Sequence, residues 1–178
     1  NNNILASLFY AEGDMDAGFL CSYSDILYRP SVVQRALTHP GDIVLCVDTE
    51  WRARYVDRSQ HPEDDAEKVI ADGDRIVRIE RSISSEQASG EYIGVARFND
   101  RGARALRDYY HRARAAFAGS IWRDGISFEK AYLIHLFQCM IEDSVDVRMV
   151  TTDGEYMEID TEEDYVLANV RWPQEYGD

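Results

Sequence analysis

Glu155-Tyr156-Met157-Glu158-Ile159-Asp160-Thr161-Glu162-Glu163-Asp164-Tyr165 reads as a short strand that runs straight into a helix. Side chains alternate faces in a strand, so Glu158 and Asp160 point one way and Ile159 the other. Two carboxylates on one face at a strand end make a hard, oxygen-rich corner suited to Mg²⁺. An acidic strand end with an ordinary helix cap is the alternative. Thr161 starts the helix, and Asp164 takes the third position of a capping box, where Glu or Gln is usual. Pro173 is expected to stop this helix near Arg171.

Upstream, Asp153-Gly154 turns out of a strand at Val145–Val150. Ile43–Asp48 is the clearest buried strand, and Gly18–Tyr23 suits a second, parallel one. Asn3–Ala11 reads as a helix that Asn2 or Asn3 can cap, and Pro30 fits the first turn of a helix through Leu37. Ala66–Ala71 and Arg75–Glu80 are strands joined by the turn Asp72-Gly73-Asp74, and Glu91–Phe98 is another. Helices are expected over 101–117 and 128–142, with a loop holding Trp122 between them, while 52–62 is polar and irregular. This alternation suits an open α/β sheet with helices on both faces and one domain.

The 178 residues carry a net charge of −14, which argues against a nucleic-acid surface. No apolar run approaches the roughly 18 residues of a membrane helix. Cys21, Cys46 and Cys139 sit among apolar neighbours without a Cys-x-x-Cys pair, as expected of reduced thiols in a cytoplasmic protein. His39, His61, His111 and His135 show no metal-ligand spacing. In open α/β sheets a ligand sits beyond the carboxyl ends of the strands. Asp25, Asp48 with Trp51, and Glu158 with Asp160 all fall at such ends. If those strands are neighbours, Asp25 and Asp160 can share a Mg²⁺ that bridges substrate phosphate oxygens.

The order of segments also carries a resemblance. Asn2-Asn3-Ile4 with Ser7-Leu8, Tyr23-Ser24-Asp25-Ile26-Leu27, and Val47-Asp48 with Trp51 come first. Ala66-Glu67-Lys68-Val69, Gly90-Glu91-Tyr92-Ile93-Gly94, and Glu158-Ile159-Asp160-Thr161 with Asp164 follow. In this order they resemble the nucleotidyltransferase superfamily that activates sugar phosphates, phosphocholine and phosphonates. The subset most alike is the phosphocholine and 2-aminoethylphosphonate cytidylyltransferases.

The resemblance implies a Rossmann-like open mixed sheet of the nucleotide-diphospho-sugar transferase type. It implies CTP or another nucleoside triphosphate as one substrate and a phosphate or phosphonate acceptor as the other, with no nucleic acid or membrane partner. Asp25, Asp160 and Glu158 would hold Mg²⁺. Lys68 would neutralise the incoming phosphate, with a solvated hairpin lysine as the alternative. Arg81 stands where relatives place a lysine, and the two are not equivalent phosphate ligands. Trp51, Glu91 and Tyr92 would line the acceptor pocket, where an aromatic face can attract an ammonium group. Trp122, Tyr132 and Tyr156 are further walls or core. The family's glycine-rich phosphate loop is absent from this sequence. Residues 1–178 therefore resemble the C-terminal part of a single nucleotidyltransferase domain lacking its first strands, to be completed by an N-terminal segment. A sugar 1-phosphate acceptor is one alternative, and a non-catalytic module that binds a nucleotide or a partner chain is another.

Overall fold

Ile43-Val44-Leu45-Cys46-Val47-Asp48 is buried along its whole length, so a strand here must be covered on both faces. Period-2 alternation sends Ile43, Leu45 and Val47 into one apolar cluster with Leu106, Leu133 and Phe137. It sends Val44 and Cys46 into another with Val32, Ala36 and Tyr156. Each fully buried Leu, Ile or Phe contributes roughly 1.5–3 kcal/mol, so the two-sided core around this strand dominates stability.

The computed structural model describes residues 3–177. In chain order its elements are α1 (Ile4–Leu8), β1 (Phe19–Ser22), β2 (Ile26–Tyr28), α2 (Pro30–Thr38), β3 (Ile43–Asp48), α3 (Arg52–Tyr55), β4 (Lys68–Asp72), β5 (Arg75–Ile79), β6 (Gly90–Phe98), α4 (Asp100–Phe117), β7 (Ile121–Arg123), β8 (Ile126–Ser127), α5 (Leu133–Glu142), β9 (Val147–Thr152), β10 (Tyr156–Glu158) and α6 (Glu162–Tyr176). The main sheet has six strands in the order β1-β6-β3-β9-β5-β4, and β4 also pairs with the start of β6. β3 and β9 are parallel, whereas β6 runs antiparallel to both β1 and β3. The sheet is therefore mixed. The carboxyl ends of β1, β3 and β9 meet the amino end of β6 at one rim.

Two glycines let the chain close on itself at that rim. A Cβ on Gly90 would come within 2.6 Å of the Asp48 carbonyl oxygen, so only glycine permits this approach of β6 to β3. Gly94 has φ +74°, and a Cβ there would lie 2.5 Å from the Tyr23 ring. It lies in β6 opposite the register shift between Leu45 and Val47, and its carbonyl accepts the Tyr23 N–H.

Several expectations are corrected. β1 is a half-buried edge strand, antiparallel to its neighbour rather than a buried parallel one. The first helix is α only to Leu8 and continues as a 3₁₀ segment; of its two candidate caps, Asn3 accepts from the Ile4 N–H and Asn2 lies outside the described residues. The loop around Trp122 contains the β7–β8 hairpin. The helix expected from Phe128 is split into a 3₁₀ turn and α5, because Ala131 and Tyr132 are extended and the Tyr132–His135 pair caps α5. α6 runs past Arg171 and through Pro173 to Tyr176. Tyr176 anchors that last turn: its hydroxyl accepts the Glu155 N–H, and Arg29 lies over its ring.

The opening stretch folds as expected locally but pairs elsewhere. β10 joins β2 in a separate two-stranded ribbon rather than the main sheet. The ribbon continues as the Ile159 N–H donates to the Asp25 carbonyl, at 2.9 Å. Thr161 and Asp164 form the capping box, each side chain satisfying the other's backbone N–H.

Candidate active site

A cavity of about 360 Å³ opens at the rim where β1, β3, β6 and the β2–β10 ribbon converge. Six carboxylates line it: Asp25, Asp65, Glu67, Glu91, Glu158 and Asp160. Arg81 and His61 supply the basic groups, and Tyr23, Tyr55, Tyr92, Tyr132 and Tyr156 supply aromatic walls. The acids outnumber the bases in this lining.

Strand alternation decides which side chains reach it. Glu67 faces the cavity, whereas Lys68 beside it is 2% exposed and absent from the lining. The Lys68 ammonium instead lies 5.9 Å from the centroid of the Trp51 ring. Trp51 is buried against Tyr55 and Ala66, one layer behind the wall. Tyr55, one helical turn on from Trp51, stands in the wall itself. Of the acceptor-pocket and phosphate-binding candidates, Glu91, Tyr92 and Arg81 therefore line the cavity, and Trp51 and Lys68 do not. Trp122 packs against Phe117 and Phe128, while Tyr132 and Tyr156 reach the wall.

The buried acids are unequally satisfied. Glu91 accepts from the Tyr55 hydroxyl at 2.6 Å and the Tyr156 hydroxyl at 3.1 Å. Burial still pushes its carboxyl up to about 7, against the lowering effect of those two bonds. Glu67 accepts from Tyr23 at 3.0 Å through one oxygen, while the other is buried without a hydrogen bond. Its carboxyl is also pushed up to about 7 by burial, with Arg81 pulling the other way. Arg81 sits 4.2 Å from the Tyr132 ring centroid and 3.6 Å from Asp65, with Glu67 at 3.9 Å. Asp48, fully buried behind Glu91, is raised by burial. The Tyr92 hydroxyl has no hydrogen-bond partner.

The segment 52–62, expected to be irregular, begins with α3 (Arg52–Tyr55), and two residues from the coil after it meet Glu158 and Asp160 at the ribbon end. Arg58, with a side chain 7% exposed, lies 3.3 Å from Glu158 and 3.6 Å from Asp160. The His61 Nδ1 is 2.9 Å from Asp160. Burial, then the adjacent Asp160 charge, push the Glu158 carboxyl up to about 8. A cation would relieve that excess negative charge, and carboxylate oxygens are the donors Mg²⁺ takes. The residues present therefore fit a divalent ion held by Glu158 and Asp160, with the Asp25 carboxylate on the same cavity. His61 shows no metal-ligand spacing in the sequence and Arg58 belongs to no motif, because both lie in the coil after α3, where no periodicity assigns a face.

No family model matches the chain. A cytidylyltransferase from Campylobacter jejuni, CTP:phosphoglutamine cytidylyltransferase, is 25% identical over 142 residues, covering 79% of this chain and 54% of that protein. The chain thus spans about half the length of the curated relative it matches. The inositol-1-phosphate CTP transferase from T. maritima superposes with a TM-score of 0.66 at 20% identity, over 91% of this chain and 57% of that one. The CTP:phosphocholine cytidylyltransferase from Streptococcus pneumoniae gives 0.61 at 16% identity, over 93% and 62%. The fold is thus that of the nucleotide-diphospho-sugar transferase type of nucleotidyltransferase. Within that class, the chain's resemblance is to cytidylyltransferases.

Proposed function

We propose that this chain belongs to a Mg²⁺-dependent cytidylyltransferase domain that activates a small phosphate or phosphonate bearing a cationic nitrogen. An acceptor oxygen attacks the α-phosphorus of CTP in line, the bond to the β-phosphate oxygen breaks, and pyrophosphate leaves. Asp25, Asp160 and Glu158 hold the ion, which supplies charge neutralisation on the phosphate oxygens. The chain's own residues position the acceptor.

The observation that carries this reading is the excess of carboxylates on a tyrosine-walled cavity at the strand-end rim. Glu67, Glu91, Tyr55 and Tyr156 fit an ammonium group, which acids attract and aromatic faces stabilise by about 0.5–2 kcal/mol. Phosphocholine and phosphoglutamine, the substrates in two of the similar proteins' names, both carry a cationic nitrogen. Arg81 at the same wall suits the acceptor's anionic end. A cytoplasmic setting belongs to this reading and accords with three free cysteines.

The test is pyrophosphate release by the full-length protein with Mg²⁺, comparing CTP with other nucleotides. The acceptor panel is phosphocholine, 2-aminoethylphosphonate, phosphoglutamine, inositol 1-phosphate and a sugar 1-phosphate. Release with CTP and a cationic acceptor is expected. Release only with the polyol phosphates, which lack a cationic nitrogen, would remove the ammonium assignment, and no release with any pair would sink the enzyme.

A further inference from the structure

His61, Glu158 and Asp160 bring one nitrogen and two carboxylate groups together, with a donor atom from each lying within 4.8 Å of the others. We infer that His61 is a further ligand of the ion at this corner and raises the site's affinity for first-row transition ions above what its carboxylates alone give, while leaving Mg²⁺ binding to the carboxylates. This rests on the reading of Glu158 and Asp160 as cation ligands, and goes beyond it.

The His61 Nδ1 lies 2.9 Å from Asp160 Oδ2, whereas the 3.9 Å approach to Glu158 Oε2 is made by the other ring nitrogen, Nε2, so a shared ion sits on the Nδ1–Asp160 edge and Glu158 turns toward it. Two cis ligands on an octahedral ion with bonds of about 2.1 Å are about 3 Å apart. The His61–Asp160 separation can therefore form one edge of a coordination sphere without either side chain moving far. The imidazole is held for this, its ring against Tyr55 at 5.8 Å and its side chain 14% exposed.

Arg58 does not replace the ion. Its guanidinium is committed to Asp164, at 2.6 Å through Nε and 3.0 Å through Nη2. Its Nη1 also donates to Glu158 at 3.3 Å, and its Nη2 lies 3.6 Å from Asp160. The closest approaches of Arg58 and His61 to Glu158 all fall on Oε2, and those to Asp160 on Oδ2. With Glu91 and Asp25 on the same cavity, one guanidinium leaves the corner short of positive charge.

The donor set then sets the preference. Mg²⁺ takes oxygen ligands and keeps waters, so an imidazole gains it little. Imidazole nitrogen favours the later first-row ions. The gain in affinity for transition ions therefore resides in His61, and Mg²⁺ binding in the carboxylates.

The experiment is calorimetric titration of the protein with Mg²⁺, Mn²⁺ and Zn²⁺ separately, for wild type, His61→Gln and Asp160→Asn. Mn²⁺ broadening of the His61 ring resonances provides a second readout. Circular dichroism and the thermal midpoint check that each variant is folded. His61→Gln should weaken Zn²⁺ and Mn²⁺ by about tenfold or more and leave Mg²⁺ within about threefold. Asp160→Asn should weaken all three, and the His61 ring signals should broaden before those of the other three histidines.

Unchanged Zn²⁺ and Mn²⁺ affinity in His61→Gln would overturn the inference, and the two-carboxylate site would still stand if Asp160→Asn weakens Mg²⁺. Equal loss of all three ions in His61→Gln would also overturn it, making His61 an orienting partner of Asp160. Failure of any ion to bind wild type would overturn the inference and the carboxylate site together.

Discussion

The Arg58 guanidinium straddles the Asp164 carboxylate, with Nε 2.6 Å from one oxygen and Nη2 3.0 Å from the other. Asp164 is 1% exposed and at the same time caps α6 through the Thr161 N–H and hydroxyl. One carboxylate thus fastens the coil after α3 to the helix that follows the candidate metal corner. Arg58 and Thr161 hold it below the usual carboxylate range despite the opposing cost of its burial.

Arg58→Ala should therefore be strongly destabilising, because it leaves a buried charge without its partner. The expected loss is roughly 3–5 kcal/mol by urea unfolding. Arg58→Lys keeps the charge but not the two-pronged fork, and should lose less. A change under about 0.5 kcal/mol for Arg58→Ala would mean the pair behaves as a surface contact.

Asp160→Asn should leave the fold intact and lower Mg²⁺-dependent turnover of the full-length protein by roughly a hundredfold or more. Asp160 is partly exposed, and its side chain interacts with Arg58 and His61 rather than with the core. Steady-state pyrophosphate release checks the first part and the thermal midpoint the second. Persistence of turnover would remove Asp160 from the ligand set.

What the sequence disclosed was local. β3, the Asp72-Gly73-Asp74 hairpin turn, Pro30 at the start of α2 and the Thr161–Asp164 cap each depend on neighbours within a few residues, and each is present. The β2–β10 ribbon joins segments well over a hundred residues apart, and two three-residue strands leave no pattern of their own. Within the Ala66–Val69 segment the charge that reaches the cavity is Glu67, not Lys68, because a strand register offset by one residue exchanges the faces. Arg58 and His61 become visible only once β10 has brought Glu158 and Asp160 beside them.

Gly94→Ala should disturb the cavity from its back wall. The position has φ +74°, and the new Cβ would meet the Tyr23 ring at 2.5 Å. Strain of this kind costs roughly 1–3 kcal/mol, and a chain of this size loses about 2–4 °C in midpoint per kcal/mol. Tyr23 would be pushed away from Glu67, whose one hydrogen bond it supplies. The thermal midpoint should fall by several degrees, and a midpoint equal to wild type would show that the bulge relaxes without strain.

Glu67 should make stability depend on pH. Its folded carboxyl titrates near about 7, against an ordinary value of 4.5, chiefly because it is buried. Between those values the folded protein keeps a proton that the unfolded chain releases. This acid's contribution is therefore most favourable below about 4.5, declines as pH rises, and is lost above about 7. Glu67→Gln removes the titration while its amide oxygen can still accept from Tyr23. At about 1.4 kcal/mol per tenfold change in proton affinity, the variant should gain on the order of 3 kcal/mol relative to wild type between pH 5 and pH 8. Comparing the two proteins by urea unfolding at both pH values cancels the other buried acids, Glu91 and Glu158, provided they titrate alike in both. A difference that is the same at pH 5 and pH 8 would mean that Glu67 does not change its protonation in this window. It would then have to be charged in the folded cavity, held so by Arg81.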